Sequence, residues 1–318
     1  MSTSPFLESI RTELRTRRYS IKTEKVYLYW IKQFILFNDK KHPQDMGNAE
    51  IERFLNHLAV NRQVSAATQN QALCAIIYLY KHIIRREISD LRYSFTKREQ
   101  SIPTVLTHEE AKNIISHLSG QYWLIASLLY GGGLRINEAL KLRIKDVNIQ
   151  NNTLFIFRGK GKKDRYTLLP KSLSHSLDNQ FSIVKARHQQ DLSEGYGLAS
   201  LPPALLRKYG NAAKDLSWQY VFPSSTRCTH PYDGYICRHH IHETTFRKQL
   251  RKAVLISQIP KQVKAHTFRH TFATQLLQNG TDIRTVQELL GHSDLKTTEL
   301  YTHVIGSRFS HTTSPIDR

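Results

Sequence analysis

Histidine and arginine stand three residues apart in the segment His266-Thr267-Phe268-Arg269, a spacing that puts them on one face of a helix. A guanidinium offers a forked pair of N–H donors to phosphate oxygens. An imidazole beside it donates a hydrogen bond or moves a proton, so the pair suits an anion. Further along, His292 directly follows Gly291, which stands where a helix C-terminus takes left-handed backbone. Tyr301 lies nine residues beyond His292. Upstream, Arg135 follows the run Gly131-Gly132-Gly133-Leu134, whose glycines permit a tight turn and close backbone approach. Lys160 sits among glycines in a basic run, where an ammonium can reach a groove, and Lys162 and Lys163 compete for the same role. Taken singly, each also reads as an ordinary side chain: a solvated helix cation, a loop lysine, a packed aromatic.

The elements around these residues are mostly helical. Apolar residues at helical spacing predict helices near 5–17, over 20–38 with Ser20 as N-cap, after Asn48 as N-cap, and over 66–84. Together they make a helical unit over 1–84. Residues 85–104 are charged, contain Pro103 and lack an apolar period, which reads as a linker. Thr107 and Glu110 form a capping box that opens the second domain, 105–318. Thr153–Phe157 and Arg165–Leu169 switch to a period of two and predict a hairpin with a basic tip. Helices resume over 171–190 and 241–303, and 191–218 reads as an insertion with a short amphipathic piece. The fold class expected is mainly α with a small antiparallel β-sheet, in two domains.

Charge narrows the partner. The chain has 318 residues, with 46 Lys+Arg against 26 Asp+Glu, a formal net charge of +20. Such an excess is self-repulsive unless a polyanion offsets it, and a nucleic acid held along much of the molecule is the expected partner. The hydrophobic fraction of 40% excludes a disordered basic tail. Three cysteines, Cys74, Cys228 and Cys237, have no paired spacing, which fits a reducing cytoplasm rather than a disulfide scaffold. No stretch is apolar enough to span a membrane and no leader pattern opens the chain, so a membrane partner and export are not expected. The cluster His239, His240, His242 beside Cys237 invites a metal, but no CxxC pair accompanies it, so no metal is expected.

The order Arg135, Lys160, His266-x-x-Arg269, Gly291-His292, Tyr301, set in a basic helical domain, resembles the catalytic domain of tyrosine recombinases. The resemblance extends over about 5–305. It implies a helical core-binding domain followed by an α+β catalytic domain. It also implies that Arg135 and Arg269 clamp the scissile phosphate while Tyr301 attacks it, forming a 3′-phosphotyrosine and freeing a 5′-hydroxyl. Lys160 is then the general acid for the departing oxygen, His266 contacts the phosphate and helps deprotonate Tyr301, and His292 supports transition-state charge. Neither metal nor cofactor is implied.

Three further segments, Leu201–Gly210, Trp218–Ser224 and Arg238–Glu243, together resemble the integron integrases, which carry an added helix. This implies integration and excision of cassettes at duplex sites and at folded single-stranded hairpins with extrahelical bases. Trp218, His239 and His240 offer flat faces for such bases, and Arg207 and Lys208 suit nearby phosphates. Leu206 and Gly210 depart from that pattern, standing where the relatives usually have an acid and a proline. Lys22 and Thr23, in a cluster with Arg17, Arg18 and Lys25 at a helix start, suit the DNA backbone. The resemblance further implies a homotetramer on DNA in the bacterial cytoplasm, associated with the nucleoid when bound. The competing expectations are a phage or Xer-like recombinase acting only on duplex DNA, a topoisomerase of the same chemistry, and a DNA-binding module without activity.

Overall fold

The computed structural model describes residues 4–88, 91, 103–157, 163–295, 297–299 and 301. Lys160, most of the stretch read as a linker, and the tail after Tyr301 lie outside the described residues. The chain divides into two compact units, Met1–Ser101 and Ile102–Arg318.

The first unit is helical: α1 (Pro5–Thr16), α2 (Ile21–Phe37), α3 (Asn48–Asn56) and α4 (Ala66–Tyr78). The last two continue into π-helical turns, His57–Asn61 and Leu79–Ile84. Ser20 and Ser65 cap α2 and α4 by accepting the N–H groups of Thr23 and Thr68 at 3.1 and 3.3 Å. The cap expected at Asn48 belongs instead to Gly47. The Glu50 carboxylate accepts the Gly47 N–H at 2.7 Å, which makes Asn48 the first helical residue. Ile10, Leu14, Ile31, Phe34, Ile51, Leu55 and Ile76 interlock in the core. Buried Glu24 is matched by Arg11 and Arg15 at 3.2 and 2.9 Å, so a charge at a core-facing position is tolerated.

In the second unit the Thr107–Glu110 capping box opens α5 (His108–Ser116), followed by α6 (Gly120–Gly131) and α7 (Ile136–Leu140). An antiparallel sheet of order β1-β2-β3 comes next: β1 (Val147–Asn148), β2 (Thr153–Ile156) and β3 (Arg165–Leu168). Then follow α8 (Ser174–Ser193), α9 (Pro203–Tyr209), a two-residue ribbon of β4 (Cys228–Thr229) and β5 (Ile236–Cys237), and the helices α10 (Glu243–Ile256), α11 (Ala265–Gln278) and α12 (Ile283–Leu290). The core gathers Leu124, Leu128 and Leu129 of α6, Leu154 of β2, Phe246 of α10 and Phe268 of α11. The architecture is thus mainly α with small antiparallel sheets, as the sequence predicts. Strands β1, β4 and β5 were not foreseen, because two residues are too few to display a period. Among the described residues, no helix is long and apolar enough to cross a membrane.

Candidate active site

Three segments meet at one carboxylate. After α6 the chain passes through Gly133, whose φ of +63° is left-handed and whose missing Cβ leaves room for Phe272 of α11, 2.4 Å from where that atom would stand. This turn sets Arg135 at the N-cap of α7. Its backbone N–H donates to Glu138 Oε2 at 2.9 Å and its Nη1 to Glu138 Oε1 at 2.7 Å. From β3, Arg165 points inward while Tyr166 points out, and its two Nη atoms grip the same carboxylate at 3.0 and 2.7 Å. Arg269 Nη1 approaches Glu138 from α11 at 3.7 Å.

Arg269 is fully buried. Its Nη1 donates to Gly133 O at 2.7 Å and its Nη2 to Leu290 O, and Nη2 also lies 3.2 Å from His292 Nε2. Gly291 ends α12 with φ +63°, and a Cβ there would stand 2.8 Å from Arg165 Cδ. The left-handed turn expected at Gly291 sends His292 back toward Arg269. His292 Nδ1 then pairs with Thr298 Oγ1 at 2.9 Å, which orients the ring. Arg165 closes the circle by donating from Nε to Leu289 O at 2.9 Å.

Three guanidiniums against one carboxylate leave an excess of two positive charges in a largely buried cluster. An excess of this sign, carrying forked donors, is suited to a phosphate. Burial alone pushes the Glu138 carboxyl up, but the hydrogen bond and charge of Arg165, the Arg135 N–H and the charge of Arg269 together bring it down to about 2. Folding therefore lowers this pKa from its ordinary 4.5. The stabilisation is complete above that value and is lost as pH falls toward 2. Glu138→Gln is expected to lower neutral-pH stability by about 3–5 kcal/mol, because it leaves buried guanidiniums uncompensated. In denaturant melts at stepped pH, the variant should also lose less stability than the parent between pH 4.5 and 2.

Tyr301 is 2% exposed, and its hydroxyl lies 3.0 Å from His270 Nδ1. Its ring stacks nearly parallel to His292, with centroids 6.2 Å apart. Burial raises the phenol pKa, against the lowering charges of Arg269 and Arg135. Burial likewise pushes His270 down, to about 4, with help from His266 and Arg269, so His270 is neutral near pH 7.

The structure therefore brings together Arg135, Arg269, His292 and Tyr301. His266 is exposed and meets His270 edge-on, with centroids 4.5 Å apart. The residue against the Tyr301 hydroxyl is His270, not His266 as expected. Helix geometry explains the difference, since His270 is one full turn further along α11. Glu138 and Arg165 were also missed. An acid three residues after Arg135 at a helix start was the available signal for the first; the inward phase of β3 was the signal for the second.

The DNA-contact candidates are distributed differently. Lys22, Arg207 and Lys208 are exposed, and Thr23 is engaged with the Ser20 hydroxyl at 2.9 Å. Trp218, His239 and His240 are not open platforms. The Trp218 indole carries Lys145 Nζ 3.3 Å from its centroid and packs on Tyr209 at 4.8 Å. His239 and His240 meet the Tyr220 ring edge-on at 5.3 and 5.2 Å, and burial lowers the pKa of both. Their Nδ1 atoms are taken by Ser200 Oγ at 3.1 Å and Ile241 O at 2.7 Å.

Comparison with known proteins agrees with this geometry. Residues 104–308 match the model described as Phage integrase family, and residues 6–90 match that of the Phage integrase, N-terminal SAM-like domain. An Integrase/recombinase of Escherichia coli is 41% identical over 312 residues, covering 98% of this chain and 93% of that protein. A Tyrosine recombinase of Pseudothermotoga lettingae is 28% identical over 302 residues, covering 92% and 91%. Among solved structures, the XerH site-specific recombinase bound to palindromic difH substrate in a post-cleavage complex shares the fold. It aligns with a TM-score of 0.63 at 21% identity, covering 98% of this chain and 84% of that one. The chain belongs to the phage integrase family of tyrosine recombinases, enzymes that cleave and religate DNA.

Proposed function

We propose that this protein is an integron-type recombinase, which integrates and excises cassettes at duplex sites and at folded hairpins carrying extrahelical bases. In this reading Arg135 and Arg269 hold the scissile phosphate and His292 supports the charge of the pentacoordinate phosphorus. Tyr301 is the nucleophile and Lys160 protonates the 5′-oxygen. The protein works as a tetramer on DNA, with 1–84 as core-binding domain, 85–104 as linker and 105–318 as catalytic domain.

One observation supports the hairpin specificity. Of the three sequence segments that carry the integron likeness, the second and third meet where His239 and His240 lie edge-on to Tyr220, and the first packs on the second through Tyr209 against Trp218. Arg143 lies over the Tyr220 ring at 4.3 Å and donates from Nη2 to Ser200 O at 2.7 Å, which ties the insertion to the body of the unit. Trp218 docks on Tyr209 of the added helix α9, and His239 reaches Ser200 Oγ. An extrahelical base takes the place of Lys145 on the Trp218 indole, exchanging a cation–π contact for stacking worth about 1–3 kcal/mol. The exposed Arg207 and Lys208 then hold phosphates beside it.

Gel-shift titration of a hairpin with extrahelical bases, beside its fully paired duplex, tests this reading. Trp218→Ala is expected to weaken hairpin binding by about 5–150-fold and leave duplex binding within about two-fold. Equal affinity of the parent protein for both substrates, with an equal response to the substitution, favours the duplex-only recombinase.

A further inference from the structure

The reaction needs a group to take the proton of the attacking tyrosine, and the roles set out above leave His270 unused. We propose that His270 is a catalytic residue, the general base that accepts the Tyr301 phenol proton on Nδ1, with His266 passing that proton to solvent. The inference rests on the reading of Tyr301 as nucleophile.

The geometry carries it. His270 Nδ1 is 3.0 Å from Tyr301 Oη, within the reach required of a base. His266, one turn earlier on the same helix, stands edge-on to the half-buried His270 ring at 4.5 Å and is itself exposed to water. Arg269 and His266 on α11 disfavour a second positive charge on His270, which keeps its lone pair available. Arg135, at the start of α7, and Arg269 favour the phenolate over the phenol. His292 stacks on Tyr301 from the segment after α12, and Glu138 lies behind Arg269 without contacting the phenol in any hydrogen bond among the described residues.

The step balances. The Tyr301 O–H bond breaks and its proton goes to His270 Nδ1. The electron pair left on Oη forms the bond to phosphorus, and the bond from phosphorus to the 5′-oxygen breaks, that oxygen taking a proton from the general acid. In religation the 5′-hydroxyl attacks and returns its proton to the general acid, the bond from phosphorus to Oη breaks, and the departing phenolate takes a proton from His270, resupplied from solvent through His266. The buried position of Tyr301 explains the need, since burial raises the phenol pKa and no phenolate forms spontaneously near pH 7.

Single-turnover cleavage of a nicked duplex substrate tests the assignment. The parent adduct is mapped first, and an adduct on a tyrosine other than Tyr301 removes the underlying reading before either histidine is tried. With Tyr301 confirmed, His270→Gln, which still accepts a hydrogen bond but takes no proton, is expected to cleave about 100-fold more slowly at pH 7. Its rate should rise about ten-fold per pH unit from 7 to 9, as hydroxide replaces the lost base. The parent rate should change less than about two-fold over that interval, and His266→Gln should keep the flat parent profile at a lower rate. A rising profile in His266→Gln but not in His270→Gln, or in neither, overturns the proposal. If His270→Gln lacks the parent melting transition, ¹⁵N NMR of the unaltered protein decides. An unprotonated Nδ1 on His270 at pH 7 is required, and a protonated one leaves no lone pair for the phenol and refutes the assignment.

Discussion

Arg269→Ala is expected to remove detectable strand cleavage and to destabilise the catalytic unit at the same time. The guanidinium is fully buried and joins three segments, donating to Gly133 O before α7 and to Leu290 O at the end of α12, and meeting His292 beyond it. Truncation leaves two buried carbonyls without that donor, opens a cavity and weakens the compensation of Glu138. The loss should be about 3–5 kcal/mol, on the order of 10 °C in melting midpoint for a unit of this size. Catalysis loses more, because removing a single preorganised donor to a developing anion costs about 10²–10³ in rate, and Arg269 supplies two donors together with the placement of His292. Arg269→Lys separates the two effects. Its ammonium restores the charge but cannot span both carbonyls and His292 as a planar fork does. The lysine variant should regain part of the stability in thermal melts, while single-turnover cleavage stays at least about 100-fold below the parent. A lysine variant with parental cleavage would show that charge alone suffices and that the fork geometry is irrelevant.

Much of this architecture was legible in the sequence because it depends on local rules. Ser20 and the Thr107–Glu110 box cap the helices expected of them, since a short side chain meeting an N–H two or three residues on is a local event. Gly133 and Gly291 were legible as turns and take the left-handed backbone that their places require. They deliver Arg135 and His292 to one point, although the two residues are far apart in the chain.

What stayed hidden depends on tertiary phase. Nothing local distinguishes His266 from His270 in a helix with histidines at both ends of one turn. The packing of α11 decides which of them faces Tyr301. Glu138 resembles an ordinary first-turn acid until Arg165 arrives from β3 and Arg269 from α11, which makes it the anchor of the clamp. Trp218, His239 and His240 have the flat rings needed for stacking, but composition does not disclose that Lys145, Tyr209 and Tyr220 already cover them. A side chain's chemistry is written in its type, whereas its availability is set by its neighbours.

Tyr301→Phe is expected to eliminate covalent chemistry while leaving the protein folded and bound to DNA. The substitution keeps the ring stacked on His292 and removes only the hydroxyl facing His270, at a cost of about 0.5–1.5 kcal/mol for one hydrogen bond. Binding depends on the basic surface and not on this buried phenol, so gel-shift affinity should stay within about two-fold. Cleavage has no alternative path, because the adduct requires the oxygen that has been removed. The most direct measurement is mass mapping of the adduct formed on a nicked duplex substrate. After trypsin and nuclease digestion, the nucleotide mass should sit on the peptide spanning 297–308, in which Tyr301 is the one tyrosine, and no adduct should form with Tyr301→Phe. A nucleotide on any other peptide, or an adduct that persists in the phenylalanine variant, would contradict the assignment of Tyr301 as the nucleophile.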